Sequence, residues 1–247
     1  MAWRIRTAMP PSMRSGARRA ADGVLGPVGS ISGVRTEDRV VALTFDDGPD
    51  ARWTPGVLDA LEAAGAHATF FALCEQAEAE PDLAHRIVAA GHELGLHGPD
   101  HRALPTLDSS AQHAWLAEGR ERLESITATP VRWFRPPYGA QSLRSFLAAR
   151  RAGLDVVVWG PHGEDWVEQP PARIAERIAD ATSPGDVLLL HDGFRPHPVS
   201  QNPEPQFDRG EMVHEVLARL AADGYEATSV GGLVEGREIR RTAWFRD

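Results

Sequence analysis

Hydrophobic positions in this chain come in short runs of one kind separated by longer stretches of another. Arg39–Phe45, His67–Leu73, His92–Leu96, Asp155–Trp159, Asp186–Leu190 and Tyr225–Val230 are apolar or alternating runs of strand composition, and Val131–Phe134 is a weaker one. The gaps carry helical periodicity. Thr54–Ala64 places Val57, Leu58 and Leu61 on one face and stops at Gly65, while Pro81–Ala90 opens with proline and stops at Gly91. Asp108–Thr127, Gln141–Ala152, Pro171–Ala181 and Gly210–Ala222 read the same way. Strands alternating with helices predict an α/β fold with a parallel sheet, and roughly seven such units predict a closed, rather short barrel, with an open doubly wound sheet as the alternative. In a barrel the C-terminal ends of the strands converge on one mouth.

Five polar clusters sit just after predicted strands: Thr44 through Gly48, His97 through His101, Arg135 through Tyr138, Asp165-Trp166 and His191-Asp192. Asp46-Asp47-Gly48-Pro49 puts two carboxylates in one bend, although the same residues make an ordinary turn. His97 and His101 are four apart, the spacing that metal sites use on a helix; Pro99 between them predicts a helix start, with His97 ending a strand and His101 in the first turn. A pair of surface histidines is the alternative. One carboxylate with two imidazoles is the ligand set of a mononuclear centre with open positions, which leaves the second carboxylate as a base. Arg135 precedes two prolines and a tyrosine in a stiff loop. Asp165-Trp166 reads as a salt-bridging acid beside a core tryptophan. His191 closes an apolar run, and Asp192-Gly193 after it predict a surface turn, a position from which a histidine can act as general acid.

Composition narrows the classes. The formal charge of −9 and the absence of a basic stripe exclude nucleic acid as a partner, and all 26 basic residues are arginine, which excludes lysine-based covalent catalysis. Cys74 is the single cysteine, so disulfides and thiolate metal sites are excluded as well. Residues 1–38 stand apart: five arginines precede the first acid, and no apolar run follows them as a secretory signal requires. They read as a basic N-terminal extension, with 39–247 as one catalytic domain. Without a signal or an integral membrane segment, the expected location is cytoplasmic, with extracellular or cell-surface placement as the alternative. Phe194–Phe207 holds four prolines directly after His191, a loop long enough to be functional.

The ordered motifs TFDDGP, H-x-x-x-H, RPPYG, DW and LLLHDG, from about Val40 to Val230, resemble those of the polysaccharide deacetylases, carbohydrate esterases sharing a NodB homology domain. That resemblance implies a distorted (β/α) barrel and metal-dependent removal of N-acetyl or O-acetyl groups from glycans. It implies Asp47, His97 and His101 as ligands of a divalent metal, zinc first, with cobalt, nickel or iron as alternatives. Asp46 becomes the base, His191 the acid that protonates the departing amine, and the Tyr138 backbone N–H an oxyanion donor. Arg135 would hold Asp46 ionised, Asp165 would support Arg135 or raise the pKa of His191, and Trp166 with Leu189 would line the pocket for the acetyl methyl.

Two positions depart from the pattern. Gly98 stands where a serine or threonine hydroxyl usually braces the loop, and His162 stands where an additional aspartate commonly precedes Asp165, in a stretch expected to be surface loop. Two further readings share these residues: a hydrolase of a small acetylated metabolite or non-glycan amide, and a catalytically silent sugar-binding domain. With two tyrosines, and tryptophans among apparent core positions, no aromatic platforms for a polymer are evident.

Overall fold

The computed structural model describes residues 29–196 and 203–245. Among these, nine strands run β1 (Ser30–Arg35), β2 (Val40–Asp46), β3 (Thr69–Leu73), β4 (Glu93–Gly98), β5 (Trp133–Phe134), β6 (Asp155–Val156), β7 (Val187–His191), β8 (Glu226–Thr228) and β9 (Glu238–Thr242). The helices are α1 (Thr54–Ala64), α2 (Cys74–Ala79), α3 (Pro81–Ala89), α4 (Ser109–Thr127), α5 (Leu143–Arg151), α6 (Pro171–Ala181), α7 (Arg209–Ala222) and α8 (Val230–Val234). Their ends follow local chemistry. Gly65 closes α1 in the left-handed region at φ 61°, Ser142 and Ser145 form a reciprocal capping box on α5, and Asp208 accepts the Glu211 N–H at the start of α7.

The main sheet is parallel, in the order β6-β5-β4-β3-β2-β7. Ala42 partners both Val187 of β7 and Thr228 of β8, so β8 lies on the edge of β2 that β3 occupies further along, from Thr44 to Asp46. The sheet curls into a distorted half-barrel and not the closed cylinder that the strand count suggests. β5 and β6 have only two residues each, too few for a ladder that closes. The seam between β6 and β7 is instead held by single hydrogen bonds, from Gly160 N–H to the Val187 carbonyl (2.9 Å) and from Leu189 N–H to the Pro161 carbonyl (3.0 Å). β1 crosses the same seam, meeting Val157 through Ile31 and Asp186 through Gly33, and pairs antiparallel with β9 on its outer side. β1 lies within the segment 1–38 set apart by composition; residues 1–28 of that segment fall outside the described residues. No helix among the described residues is long and apolar enough to cross a membrane.

Strand alternation separates two cores. Val41, Leu43 and Phe45 of β2, with Leu188 and Leu190 of β7, point outward and pack under the helices. Val40, Ala42 and Val187 point inward with Ile31, Val34, Phe71, Trp133, Val157, Val230 and Leu233, forming an apolar plug inside the half-barrel. Both faces of β2 and β7 are therefore buried, which is why these strands read as continuous apolar runs. Above the plug the inward positions turn polar. The same period of two that gives Val40 and Ala42 gives Thr44 and Asp46, and the period that gives Val187 gives Leu189 and His191.

Candidate active site

Asp46 and His191 are direct neighbours across the β2–β7 pairing, so both reach the mouth at the same height. Asp47 follows in a left-handed conformation, φ 79°. His97 comes from β4. Its Nδ1 lies 2.8 Å from the Arg135 carbonyl, an atom that only accepts, so Nδ1 carries the proton and the Nε2 lone pair faces Asp47. His101 lies beyond β4 in a bend, not in the helical turn expected from Pro99; the next helical residues begin at Leu104. The bend itself brings the imidazoles together.

The separations are 3.4 Å from Asp47 Oδ1 to His97 Nε2, 3.2 Å from Asp47 Oδ1 to His101 Nε2, and 3.2 Å between the two Nε2 atoms. Three ligand atoms bound tetrahedrally at zinc-like distances stand about 3.3–3.5 Å from one another. These residues form a candidate metal site on that geometry, and the buried Asp47 Oδ1 makes no well-aligned hydrogen bond that would occupy it otherwise. Burial raises the pKa of Asp47, but the adjacent His97 imidazole and the charges of His101 and His191 outweigh it, holding the carboxyl well below the ordinary range. Burial pushes His101 down to about 4, against the pull of Asp47. Both shifts leave unprotonated donor atoms at neutral pH.

Gly98 belongs to this geometry. Its φ of 140° is one that side chains rarely adopt, and a Cβ there would lie 2.3 Å from the Trp115 ring of α4. The indole fills the space in which a hydroxyl side chain would sit. Asp100 holds the rest of the loop by accepting from the Arg102 backbone N–H at 3.1 Å and from its guanidinium.

On one side of the cluster, Arg135 is wholly buried and donates to Asp46 Oδ1 and Thr44 Oγ1, both at 2.8 Å, with its guanidinium 4.1 Å from the Phe71 ring centre. On the other, His191 Nδ1 lies 2.9 Å from Asp165 Oδ1, and its backbone N–H donates to Asp165 Oδ2 at 2.8 Å. Arg209, also buried, donates to Asp165 Oδ2 at 3.1 Å and to the His191 carbonyl at 2.8 Å. Burial opposes a charge on His191, but Asp165 and the two site aspartates outweigh it and raise its pKa to about 9. Asp165 thus pairs with His191 and not with Arg135. Trp166 stands 5.6 Å from the His191 ring, and Leu189 is buried two residues below His191 on the same face. The Tyr138 ring is 4.3 Å from that of His101, at a residue with φ 59°.

Two further expectations are corrected. Asp192 is buried, not in a surface turn: its carboxylate accepts from Thr54 Oγ1 at 2.7 Å, and burial lifts its pKa to about 7. The stretch Gly160–Gly163 is seam rather than surface loop; His162 pairs with Leu189 in that seam, and its ring is 5.2 Å from Trp166. Glu164 pairs with Arg177 away from the site. Sequence reasoning also missed Arg209 and Thr44. Arg209 had no signal, since an arginine after the helix-capping Asp208 reads as exposed; Thr44 was visible only as part of TFDDGP. Of the loop Phe194–Phe207, residues 197–202 lie outside the described residues.

A curled α/β half-barrel carrying one carboxylate, two imidazoles, a second carboxylate and a carboxylate-paired histidine at one mouth has the scaffold and donor set of a metal-dependent hydrolase. Residues 33–157, just over half the chain, match the polysaccharide deacetylase family, and the chain belongs to that family. It is 30% identical over 216 residues to a peptidoglycan-N-acetylglucosamine deacetylase of Bacillus cereus, covering 85% of this chain and 95% of that one. It is 34% identical over 169 residues to a chitooligosaccharide deacetylase of a Bradyrhizobium species, covering 68% of this chain and 75% of the other. Some curated relatives are longer, the chain spanning 41% of their length. The crystal structure of the Bc1960 peptidoglycan N-acetylglucosamine deacetylase, in complex with 4-naphthalen-1-yl-N-oxidanyl-benzamide, superposes with a TM-score of 0.77 at 24% identity, covering 91% of this chain and 98% of that one. That likeness establishes the fold.

Proposed function

We propose that the protein hydrolyses acetyl groups from N-acetylated glycans of the peptidoglycan or chitooligosaccharide type. The observation that carries this reading is the meeting, at one mouth, of the Asp47–His97–His101 cluster with Asp46 and His191 on adjacent strands. Asp47, His97 and His101 would hold a divalent cation, zinc by the fit of the donor atoms, and that cation would supply Lewis acidity toward an acetyl carbonyl and a water. Asp46, fixed by Arg135, takes the proton from the water that attacks the carbonyl carbon. The Tyr138 backbone N–H is assigned to the developing oxyanion, a role worth roughly 3 kcal/mol. His191 is protonated below about pH 9, and with Nδ1 engaged by Asp165 its Nε2 is the atom that delivers a proton to the departing amine. Trp166 and Leu189 accommodate the acetyl methyl.

The test is acetate release from chitooligosaccharides, peptidoglycan fragments and single N-acetylated sugars, with added zinc or cobalt and with chelator. Chelator-sensitive release from the glycans is expected. Stoichiometric metal with no release from any of them would overturn the reading.

A further inference from the structure

One buried carboxyl beside the site takes no part in the proposed reaction. Asp192 follows His191, and the period of two that sends His191 to the mouth sends Asp192 the other way, in line with Leu188 and Leu190 under the helices. It is 1% exposed. A carboxyl in that layer is costly unless a donor meets it, and among the described residues the donor is Thr54, the first residue of α1, whose hydroxyl reaches Asp192 Oδ2 at 2.7 Å. The same Thr54 Oγ1 accepts the Asp50 N–H at 2.8 Å. Asp192 thus ties the end of β7 to the entry of α1, and the chain that runs from β2 into that entry begins with the turn Asp46-Asp47-Gly48-Pro49.

That turn is gripped from both sides. The Asp192 N–H donates to the Asp46 carbonyl at 3.2 Å, and the Leu73 N–H, at the end of β3, donates to the Gly48 carbonyl at 3.1 Å. A Cβ on Gly48 would have both oxygens and Cγ of Asp192 within 2.5 Å, so the carboxyl is seated directly on the Gly48 backbone. A Cβ on Gly193 would fall 2.8 Å from the Asp47 carbonyl carbon and oxygen. Close approach therefore requires glycine at both places. Between them stands Asp47 at φ 79°, a conformation that a residue with a side chain keeps only where its surroundings over-determine it. Its Oδ1, the atom that faces both imidazoles, has no well-aligned hydrogen bond of its own to hold it there. Placing that oxygen falls to the backbone of the turn.

We propose that Asp192 is a positioning residue for Asp47: with its carboxyl seated on Gly48 and locked by the Thr54 hydroxyl, it holds the turn in the conformation that presents Asp47 Oδ1 to His97 and His101. This inference rests on the metal site of the deacetylase reading. Two other roles would leave different marks. A charge acting directly on a bound cation needs an ionised carboxylate, and Asp192 does lie within electrostatic reach of both Asp47 and Arg209. A purely structural role costs stability and leaves metal affinity alone. Seating needs only the shape and an acceptor for Thr54, which an amide of the same shape supplies.

The experiment titrates zinc into the metal-free parent, Asp192→Ala, Asp192→Asn and Thr54→Val proteins by calorimetry, with chemical denaturation of each and hydrogen exchange at the Leu73 amide read by NMR. Zinc is expected to bind about tenfold more weakly to Asp192→Ala and to Thr54→Val, and within about threefold of the parent to Asp192→Asn. Unchanged affinity in both Asp192→Ala and Thr54→Val, whatever their loss of stability, would overturn the inference and leave the metal site standing. An Asn variant as impaired as Ala would show that charge acts and not seating, and would overturn it too. If Asp192→Ala fails to fold, Thr54→Val and Asp192→Asn decide between the same outcomes. A parent that binds no zinc would refute the metal reading instead, and the seating is then judged on the metal-free proteins. There the Leu73 amide, protected by the Gly48 carbonyl, is expected to exchange about tenfold faster in Asp192→Ala or Thr54→Val than in the parent. Equal exchange would sink the seating.

Discussion

Two arginine–aspartate pairs flank the site, alike in burial and different in what they do. Arg135 bonds directly to Asp46, with Thr44 as its second partner and an aromatic face beneath it. Arg209 bonds to Asp165, whose other oxygen is given to His191. On the first side the cation acts on the carboxylate proposed as the base. On the second it acts one step away, on a carboxylate that must also hold an imidazolium. A cation beside a carboxylate favours its charge; a carboxylate beside a histidine favours the histidine's proton. In the proposed reaction, one motif set at two removes from the mouth equips one strand end for proton uptake and its neighbour for proton delivery, as two-role sites require.

The widest break in this comparison is at Asp46. Asp46→Asn is expected to lose at least about 10³-fold in kcat while keeping metal, whereas His97→Ala loses both. Acetate release alongside metal stoichiometry checks it, and near-parental turnover in Asp46→Asn would remove Asp46 as the base. Arg135→Met leaves a buried carboxylate without its cation and is expected to cost about 3–5 kcal/mol in stability. Chemical denaturation measures this; a loss below about 1 kcal/mol would mean that Asp46 does not need the pair.

Asp165→Asn sharpens the other side. His191 has its folded pKa raised from 6.5 to about 9, so the stability it contributes is complete below pH 6.5 and is lost as pH rises through 9. Activity that needs the protonated histidine falls over the same upper range. Without the Asp165 charge the alkaline limb of kcat is expected to move down by at least about one pH unit, read from a pH–rate profile. An unmoved limb would assign it to another group. The smallest effect is expected at Gly98→Ser, where the new Cβ meets Trp115: about tenfold weaker metal binding by calorimetry, partly restored by adding Trp115→Leu. If the double variant bound metal no better than Gly98→Ser alone, the indole would not be what holds the loop.

The clusters at Asp46-Asp47, His97/His101, Arg135 and His191 were legible because each ends a strand, and strand ends share a mouth in a parallel α/β fold, whereas Asp165-Trp166 lies nine residues beyond β6 and was legible only through the order of the motifs. Partner choice was not legible. Whether Asp165 served Arg135 or His191 depended on Arg209, contributed by a helix 44 residues further on. Asp192 looked like a turn because Asp-Gly usually is one; only the packing of Thr54 on α1 buries it.

By itself the sequence determined the alternation of strands and helices, the residue types at each strand end and the exclusion of lysine and thiolate chemistry, because these depend on local periodicity and composition. The tertiary structure decided which face of each doubly buried strand points inward, since a strand apolar on both faces carries no local sign of direction. It decided that short β5 and β6 leave a seam for β1, and that the end of β9 sets Trp244 against Gly139 in the loop after β5. Such outcomes arise from pairings between residues more than a hundred positions apart, and no window along the chain contains them.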